Sequence, residues 1–412
     1  MSRTTSWALY DFANSAFTTL IVTFIFGPWF TQNVASDPDA GSIFWTRALN
    51  VSALIVAIST PLLGAIADES GRRKRFLMIA TVVCALGTAA LWFVQPGDVV
   101  FALAAFVIAN TAFEAGIVFY NAFLPDVSTP ENIGRVSGFG MALGYVGGLI
   151  CLGIALWLIM GQGTHLIRAT YLLVAVWVVA FALPMFILVP ESEKRSELSV
   201  GEATMAGFRS LVETFRHLRQ LRHAFRLIIA RLIYNDGLVT VFGLASIFAG
   251  ITFGLETQDI IILGIALNVA AGIGSWLMGK VHDRIGGKKT IAITLVLLFL
   301  ATAIGVSFDL RVFWVCAIVI GAMVGPNQAA SRGLLSELVP DHKQGEFFGL
   351  FAFSGKITSF LGPLTYGLVV GATGSQRWAM GSIAVFFLVG LALLGRVNEE
   401  EGIAMKRQGA GI

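Results

Sequence analysis

Charge is scarce in this chain. Asp, Glu, Lys and Arg make up 13% of its 412 residues, about half the share in a soluble globular domain. That excludes an ordinary soluble enzyme, a disordered chain and a nucleic-acid-binding domain. Cysteine is nearly absent: Cys84, Cys151 and Cys316 each stand inside an apolar stretch, with no Cys-x-x-Cys and no His/Cys group at metal-ligand spacing. They read as small apolar filler, so neither a disulfide framework nor a metal site is expected. No Walker A sequence, His-Glu-x-x-His or Gly-x-Ser-x-Gly occurs. Direct use of ATP and intramembrane hydrolysis are therefore not expected. The chain reads as a non-enzyme with no cofactor and no catalytic residue, and its lone histidines read as structural.

What is abundant is apolar sequence, at 56% of residues. A bilayer core about 30 Å thick takes about 20 apolar residues per helix. Twelve such stretches fit, near 7–32, 43–67, 76–94, 99–121, 135–160 and 167–189, then 225–252, 258–281, 289–308, 312–331, 346–371 and 377–396. The first runs from Trp7 to about Phe30, too long for the apolar core of a secretory signal, and reads as a retained span. Basic residues set the orientation. With both termini in the cytoplasm, cytoplasmic segments and helix ends hold 22 of the 28 Lys and Arg, and the opposite side holds Arg168, Arg311 and Arg377. Arg47, Arg231 and Lys356 stay within spans.

The longest loop, 190–224, divides two six-helix bundles, 1–190 and 225–412, the second ending in a short cytoplasmic tail. Within the linker, 191–224, Phe208, Leu211, Val212, Phe215 and Leu218 fall on one helical face, with Arg209, Arg216, Arg219 and Arg222 largely elsewhere. Such a helix is expected to lie on the inner membrane surface as a tether.

The halves repeat each other. Gly64-Ala-Ile-Ala-Asp68-Glu-Ser-Gly71-Arg72-Arg73 follows the second span, and Gly279-Lys-Val-His-Asp283-Arg284-Ile-Gly286-Gly287-Lys288 follows the eighth. Their glycines and aspartates are 215 residues apart, as are Leu124-Pro125-Asp126 and Val339-Pro340-Asp341. A duplicated six-helix unit with a pseudo-twofold axis along the membrane normal follows. The Gly-x-x-x-Asp-Arg-x-Gly-Arg-Arg pattern resembles the signature loop of the major facilitator superfamily, with Glu69 and Gly287 as departures. The resemblance covers essentially the whole chain. It implies an all-α membrane protein of twelve transmembrane helices in two pseudo-symmetric bundles, with Asp68, Arg72, Arg73, Asp283 and Arg284 as gating residues that latch the cytoplasmic side. The opening Trp7-Ala-Leu-Tyr10-Asp11-Phe-Ala-Asn14-Ser15-Ala-Phe17 resembles that of the vacuole-effluxer-like branch. That branch implies export of small solutes, amino acids among them.

A charge at a mid-span position costs about 2.5–3.5 kcal/mol on insertion scales, so each one needs a partner, a wet cavity or a task. Rise per residue places Asp236 and Lys356 roughly 16 Å deep. Glu114 and Arg231 lie shallower, and Asp11 lies at the cytoplasmic mouth of the first span. Asp11, Asn14 and Thr18 form one stripe; Asn110 and Glu114 share a face of the fourth span, and Arg231 and Asn235 a face of the seventh. The superfamily fold lines its cavity with the first, fourth, seventh and tenth spans, so these stripes mark a solute pathway. Each charge also has a plain structural reading. Asp11 suits a helix N-terminus, Glu114 an ion pair with Arg231, and Asp236 a pair with Arg231 or Lys356. Lys356 could instead attract an anionic group of a solute, and Tyr145 stands near the corresponding place in the first half. Tyr120 and Asn121 are expected to cap the fourth helix. Gly325-Pro326-Asn327-Gln328 is expected to break helical hydrogen bonding in the tenth and expose polar groups, or simply to kink it. Glycines 134, 138, 144, 147 and 148 in the fifth, and 264, 272 and 279 in the eighth, point to close helix contact.

The expected activity is secondary transport by alternating access of a small polar or zwitterionic solute, coupled to protons or another ion. The solute contacts would be Asn14, Thr18, Asn110, Tyr145, Asn235, Asp236, Asn327 and Lys356. Asp11, Glu114 and Asp236 would carry protons, and Arg231 would join the gate. The alternatives are efflux of amphipathic drugs or lysolipids on the same fold, and a solute sensor that does not transport. The expected partners are a small solute, a coupling ion and the lipid bilayer, with no nucleic acid. The expected location is a bacterial inner membrane.

Overall fold

The computed structural model describes residues 1–162, 164–191, 200–216 and 221–408. Among them, twelve helices are long and apolar enough to cross a membrane: Arg3–Val34, Pro38–Ser70, Arg73–Phe93, Val99–Ala122, Ile133–Met160, Leu166–Leu188, Arg222–Phe253, Gln258–Ile285, Gly287–Ser307, Leu310–Leu338, Asp341–Thr373 and Gln376–Leu394. We call these spans one to twelve. No strand occurs among the described residues.

Local chemistry sets many of the ends. Span two opens on Asp37, whose carboxylate accepts from the Ala40 N–H at 2.8 Å, with Pro38 in the first turn. It closes on Gly71, which takes a φ of 59° that a Cβ would resist. Span ten opens on Asp309, which accepts from the Val312 N–H at 3.1 Å.

The chain forms two compact units. The first comprises residues 1–127, 143–211 and 344–353, and the second 128–142, 212–343 and 354–412. Each therefore includes a helix start from the other sequence half: span eleven in the first unit, span five in the second. Small residues permit this. In the first unit a Cβ on Gly64 of span two would collide with the Gly345 carbonyl. In the second, a Cβ on Gly279 of span eight would stand 2.6 Å from the Gly134 carbonyl. The core of the first unit is aromatic, with ring centroids 5.4 Å apart for Phe26 and Tyr171 and 4.2 Å for Trp45 and Phe106. Overfilling a tight contact costs about 1–3 kcal/mol. Gly64→Ala is therefore expected to weaken the contact of span two with span eleven by that amount, read as a lower thermal midpoint in detergent. An unchanged midpoint would mean that the approach is not tight.

Three local features depart from the sequence reading. Span ten is continuous through Pro326. The Ala322 carbonyl, which loses its partner to Pro326, lies against Gly274 of span eight, where no side chain intervenes. The break falls instead in span eleven, as helices Gln344–Ile357 and Leu361–Thr373. Pro363 stands in the first turn of the second piece, where its missing N–H costs no helical bond. Span one carries a π-helical stretch, Phe17–Phe24, a form common near functional sites.

The linker helix Val200–Arg216 is present, and the face it turns to the protein is the small one. Ala203, Gly207, Ser210 and Thr214 are buried, while Met205 and Phe208 are exposed. Gly207 lets the backbone of Ile66 approach closely, and the Ser210 hydroxyl donates to Glu346 Oε2 at 3.1 Å. Residues 218 and 219 of the expected amphipathic face lie outside the described residues.

Candidate functional site

The two signature loops do the same thing in their respective units. In the first, Asp68 bonds Arg73 Nε at 2.5 Å and also accepts from the N–H groups of Gly345 at 3.0 Å and Glu346 at 2.9 Å. Those amides are in the first turn of span eleven's first piece, whose own N-cap residue, Lys343, makes no side-chain cap. Asp68 is thus an N-cap supplied from span two. Carboxylate and helix dipole attract, and unsatisfied amides gain a charged acceptor. In the second unit Asp283 accepts from the Arg135 N–H at 3.2 Å and pairs with Arg135 Nε at 2.5 Å. Arg135 is in the first turn of span five.

The expected gate is partly re-cast by this. Asp68, Arg73 and Asp283 are where the capping occurs. Arg72 is the N-cap residue of span three and makes no side-chain cap. Arg284 is exposed, and Arg135, which sequence reading passed over, takes the place expected for it. Arg231 lies elsewhere, with Nη1 3.1 Å from Ser354 Oγ. Two further carboxylates cap third helices from beyond the sixth. Glu191 accepts from the Lys74 N–H at 2.9 Å, and Glu399 accepts from Gly287 and Lys288 at 2.8 and 2.9 Å. Arg332, also missed, is buried and donates to the Ser137 hydroxyl at 2.7 Å and the Ser137 carbonyl at 2.6 Å. Its signal was hidden because span ten runs seven residues past the expected end.

The deep charges of the second unit belong to the break in span eleven. Asp236 does not pair with Arg231 or Lys356. Its Oδ2 accepts from the Gly362 N–H at 2.7 Å, and its buried Oδ1 has no partner. Gly362 opens the second helical piece, so Asp236 is another cap from a neighbouring helix. Lys356 stands in the last turn of the first piece, where the dipole favours a cation. A broken helix thus presents a positive and a negative end inside the span, and Asp236 and Lys356 match them in sign. Arg231 and Asn235 flank Gly355 on the same stretch. Asn327 has no exposed surface and donates to Thr294 Oγ1 at 2.8 Å, which ties span ten to span nine, while its Oδ1 is left without a partner.

In the first unit the Trp7–Tyr10–Asp11 face meets the end of span four. Tyr120 stacks on Trp7 and Tyr10 with centroids 4.5 and 5.0 Å apart, and its hydroxyl donates to Asp11 Oδ2 at 3.0 Å. The Trp7 indole N–H donates to the Tyr120 carbonyl at 3.0 Å. Tyr120 therefore binds span one to span four rather than capping its own helix. Asn110 donates to Ser52 Oγ at 2.8 Å. Asp11, Thr18, Glu114 and Tyr145 are half-buried, and Asn14 is buried. Tyr120→Phe is expected to cost about 1 kcal/mol, the net worth of one hydrogen bond, with stacking kept. A thermal midpoint equal to wild type would show that the bond to Asp11 contributes nothing.

Twelve spans, a repeated signature loop and helix starts capped from other helices define a transporter of the major facilitator superfamily. The fold matches that of the human organic anion transporter MFSD10 (TETRAN), with a TM-score of 0.74, 16% identity, and coverage of 95% of this chain and 98% of that one. The chain belongs to the family described as vacuole effluxer Atg22 like, whose model matches residues 39–407. It is 28% identical to the uncharacterized MFS-type transporter YxiO of Bacillus subtilis, over 98% of this chain and 96% of that protein. It is 23% identical to autophagy-related protein 22 of Saccharomyces cerevisiae, over 88% of this chain and 79% of that protein.

Proposed function

We propose that this transporter moves a small polar or zwitterionic organic solute, an amino acid or a molecule like it, by alternating access coupled to protons. The moving parts are the six-helix bundles 1–190 and 225–412. The capping carboxylates Asp68 and Asp283 carry the reading. Each ties a signature loop of one repeat to a helix start of the other through bonds that can open as a set, which is what a reversible latch needs. The signature loops and both termini face the cytoplasm of a bacterial inner membrane, in keeping with the basic residues around those loops.

Half-buried charges of both signs within the spans support a zwitterion: Asp11 and Glu114 in the first unit, Arg231 and Lys356 in the second. The solute contacts we assign are Asn14, Thr18, Asn110 and Tyr145 in the first unit, and Asn235 and Lys356 in the second. Asp236 and Glu114 carry the coupling proton. A buried carboxyl with one oxygen on a backbone N–H and the other without a partner can gain or lose a proton and keep its structural bond. The test is counterflow of labelled amino acids in proteoliposomes, with and without a pH gradient. Flux that a pH gradient accelerates is expected; absence of amino-acid flux under every gradient would overturn the solute class. Glu114→Gln is expected to cut gradient-driven flux at least about tenfold, in line with one lost proton-transfer group.

A further inference from the structure

Two clefts lie at the helix ends opposite the signature loops, and they are built alike. The first unit has a cleft of about 570 Å³ with Trp29, Trp92, Gln95 and Arg168 in its wall. The second has one of about 820 Å³ with Ser307, Ser375, Arg377 and Trp378 in its wall. Each sits where the third helix of a repeat ends and the sixth begins. In each, an arginine from the first turn of the sixth helix holds the end of the third. Arg168 Nη2 donates to Gln95 Oε1 at 2.9 Å, and Arg377 Nη1 donates to the Val306 and Phe308 carbonyls at 2.5 and 2.9 Å. In each, the guanidinium lies over an aromatic ring of the repeat's first helix, Trp29 at 5.9 Å and Phe253 at 5.1 Å.

No carboxylate pairs with either arginine among the described residues, and neither cleft wall includes an Asp or Glu. A cation in the first turn of a helix opposes the helix dipole. A guanidinium has five N–H donors, and the protein bonds described here engage one nitrogen of each. Tryptophans open to the outside stand at both rims, Trp92 at 37% and Trp378 at 72% exposure, as they do where helices meet headgroups. Below Arg377 the wall is apolar, with Phe299, Ala303 and Val385.

We propose that each cleft holds one anionic glycerophospholipid of the surrounding bilayer, its phosphate on Arg168 or Arg377 and its chains along the apolar wall. The bilayer is the source, because each cleft sets an arginine beside apolar side chains, Phe93 and Ile167 in the first and Phe299, Ala303 and Val385 in the second. The proposal does not depend on the identity of the transported solute.

Native mass spectrometry of the full chain, released from vesicles of phosphatidylglycerol and phosphatidylcholine, tests it. Two retained phosphatidylglycerols are expected for wild type, one each for Arg168→Gln and Arg377→Gln, and none for the double variant. Equal retention by the double variant, retention of phosphatidylcholine instead, or no retention by wild type would overturn it. So would displacement by excess inorganic phosphate, which would assign a free anion. A second measurement needs no variant. Brominated phosphatidylglycerol should quench wild-type tryptophan fluorescence more than brominated phosphatidylcholine does, and equal quenching would contradict the proposal.

Discussion

Asp68→Asn should leave the protein folded and nearly stop transport. The carboxylate pairs with Arg73 and accepts two amides of span eleven, and both Arg73 and Asp68 side chains are almost wholly buried. Removing one member of such a pair costs about 3–5 kcal/mol, because the remaining charge stays buried and unanswered. Part of that loss falls on the Arg73 pair inside the first repeat, and part on the two amide bonds to the second. If the share on those two amide bonds is about 1.4 kcal/mol, the latched population falls about tenfold relative to the open one. Counterflow should drop at least tenfold while the purified variant still elutes as a single species. Asp68→Glu should do nearly as badly, since the longer side chain cannot meet Gly345 and Glu346 without displacing Gly64. Wild-type counterflow in Asp68→Asn would remove the latch from the mechanism.

The second large effect is expected at Asp236, where two substitutions separate structure from coupling. Asn keeps an oxygen for the Gly362 N–H, so Asp236→Asn should fold and still exchange solute. It cannot carry a proton, so uptake driven by a pH gradient should fall at least tenfold. Ala removes the cap and leaves the Gly362 amide unsatisfied inside the span. That costs about 1–2 kcal/mol of stability and should reduce exchange as well. Gradient-driven uptake that survives in Asp236→Asn would assign the coupling proton elsewhere, with Glu114 next in line.

Sequence made the spans legible because hydropathy is a sum over about twenty residues and tolerates local irregularity. The duplication was legible for a different reason: Asp68 and Asp283 recur at one fixed offset, with their flanking glycines. What these carboxylates touch was not legible. Their donors are backbone amides of spans five and eleven, and a backbone amide has no residue type to search for. The same blindness explains Asp236. A partner was sought among cations, whereas the bond goes to the Gly362 N–H. Gly362-Pro363 was the available signal, since a proline in a span removes one helical hydrogen bond, but Gly325-Pro326 offered the same signal more prominently. Only packing decides between them. Gly274 lies against the carbonyl freed by Pro326, and span ten stays whole. The inward contacts of the linker helix were not legible for a related reason: they are made by small side chains, Gly207 and Ser210, which allow the close approach to Ile66 and Glu346.

Carboxylates that hold helix starts in trans are the central feature of this transporter. Residue-resolved hydrogen exchange at the amides of Gly345, Glu346 and Arg135 tests this most directly. In wild type these amides should exchange slowly, unlike ordinary first-turn amides of a helix, and a transported solute that cycles the protein should speed them. Asp68→Asn should speed Gly345 and Glu346 but not Arg135, and Asp283→Asn should do the reverse. Fast exchange at all three in the unmodified protein, indifferent to either substitution, would contradict the account.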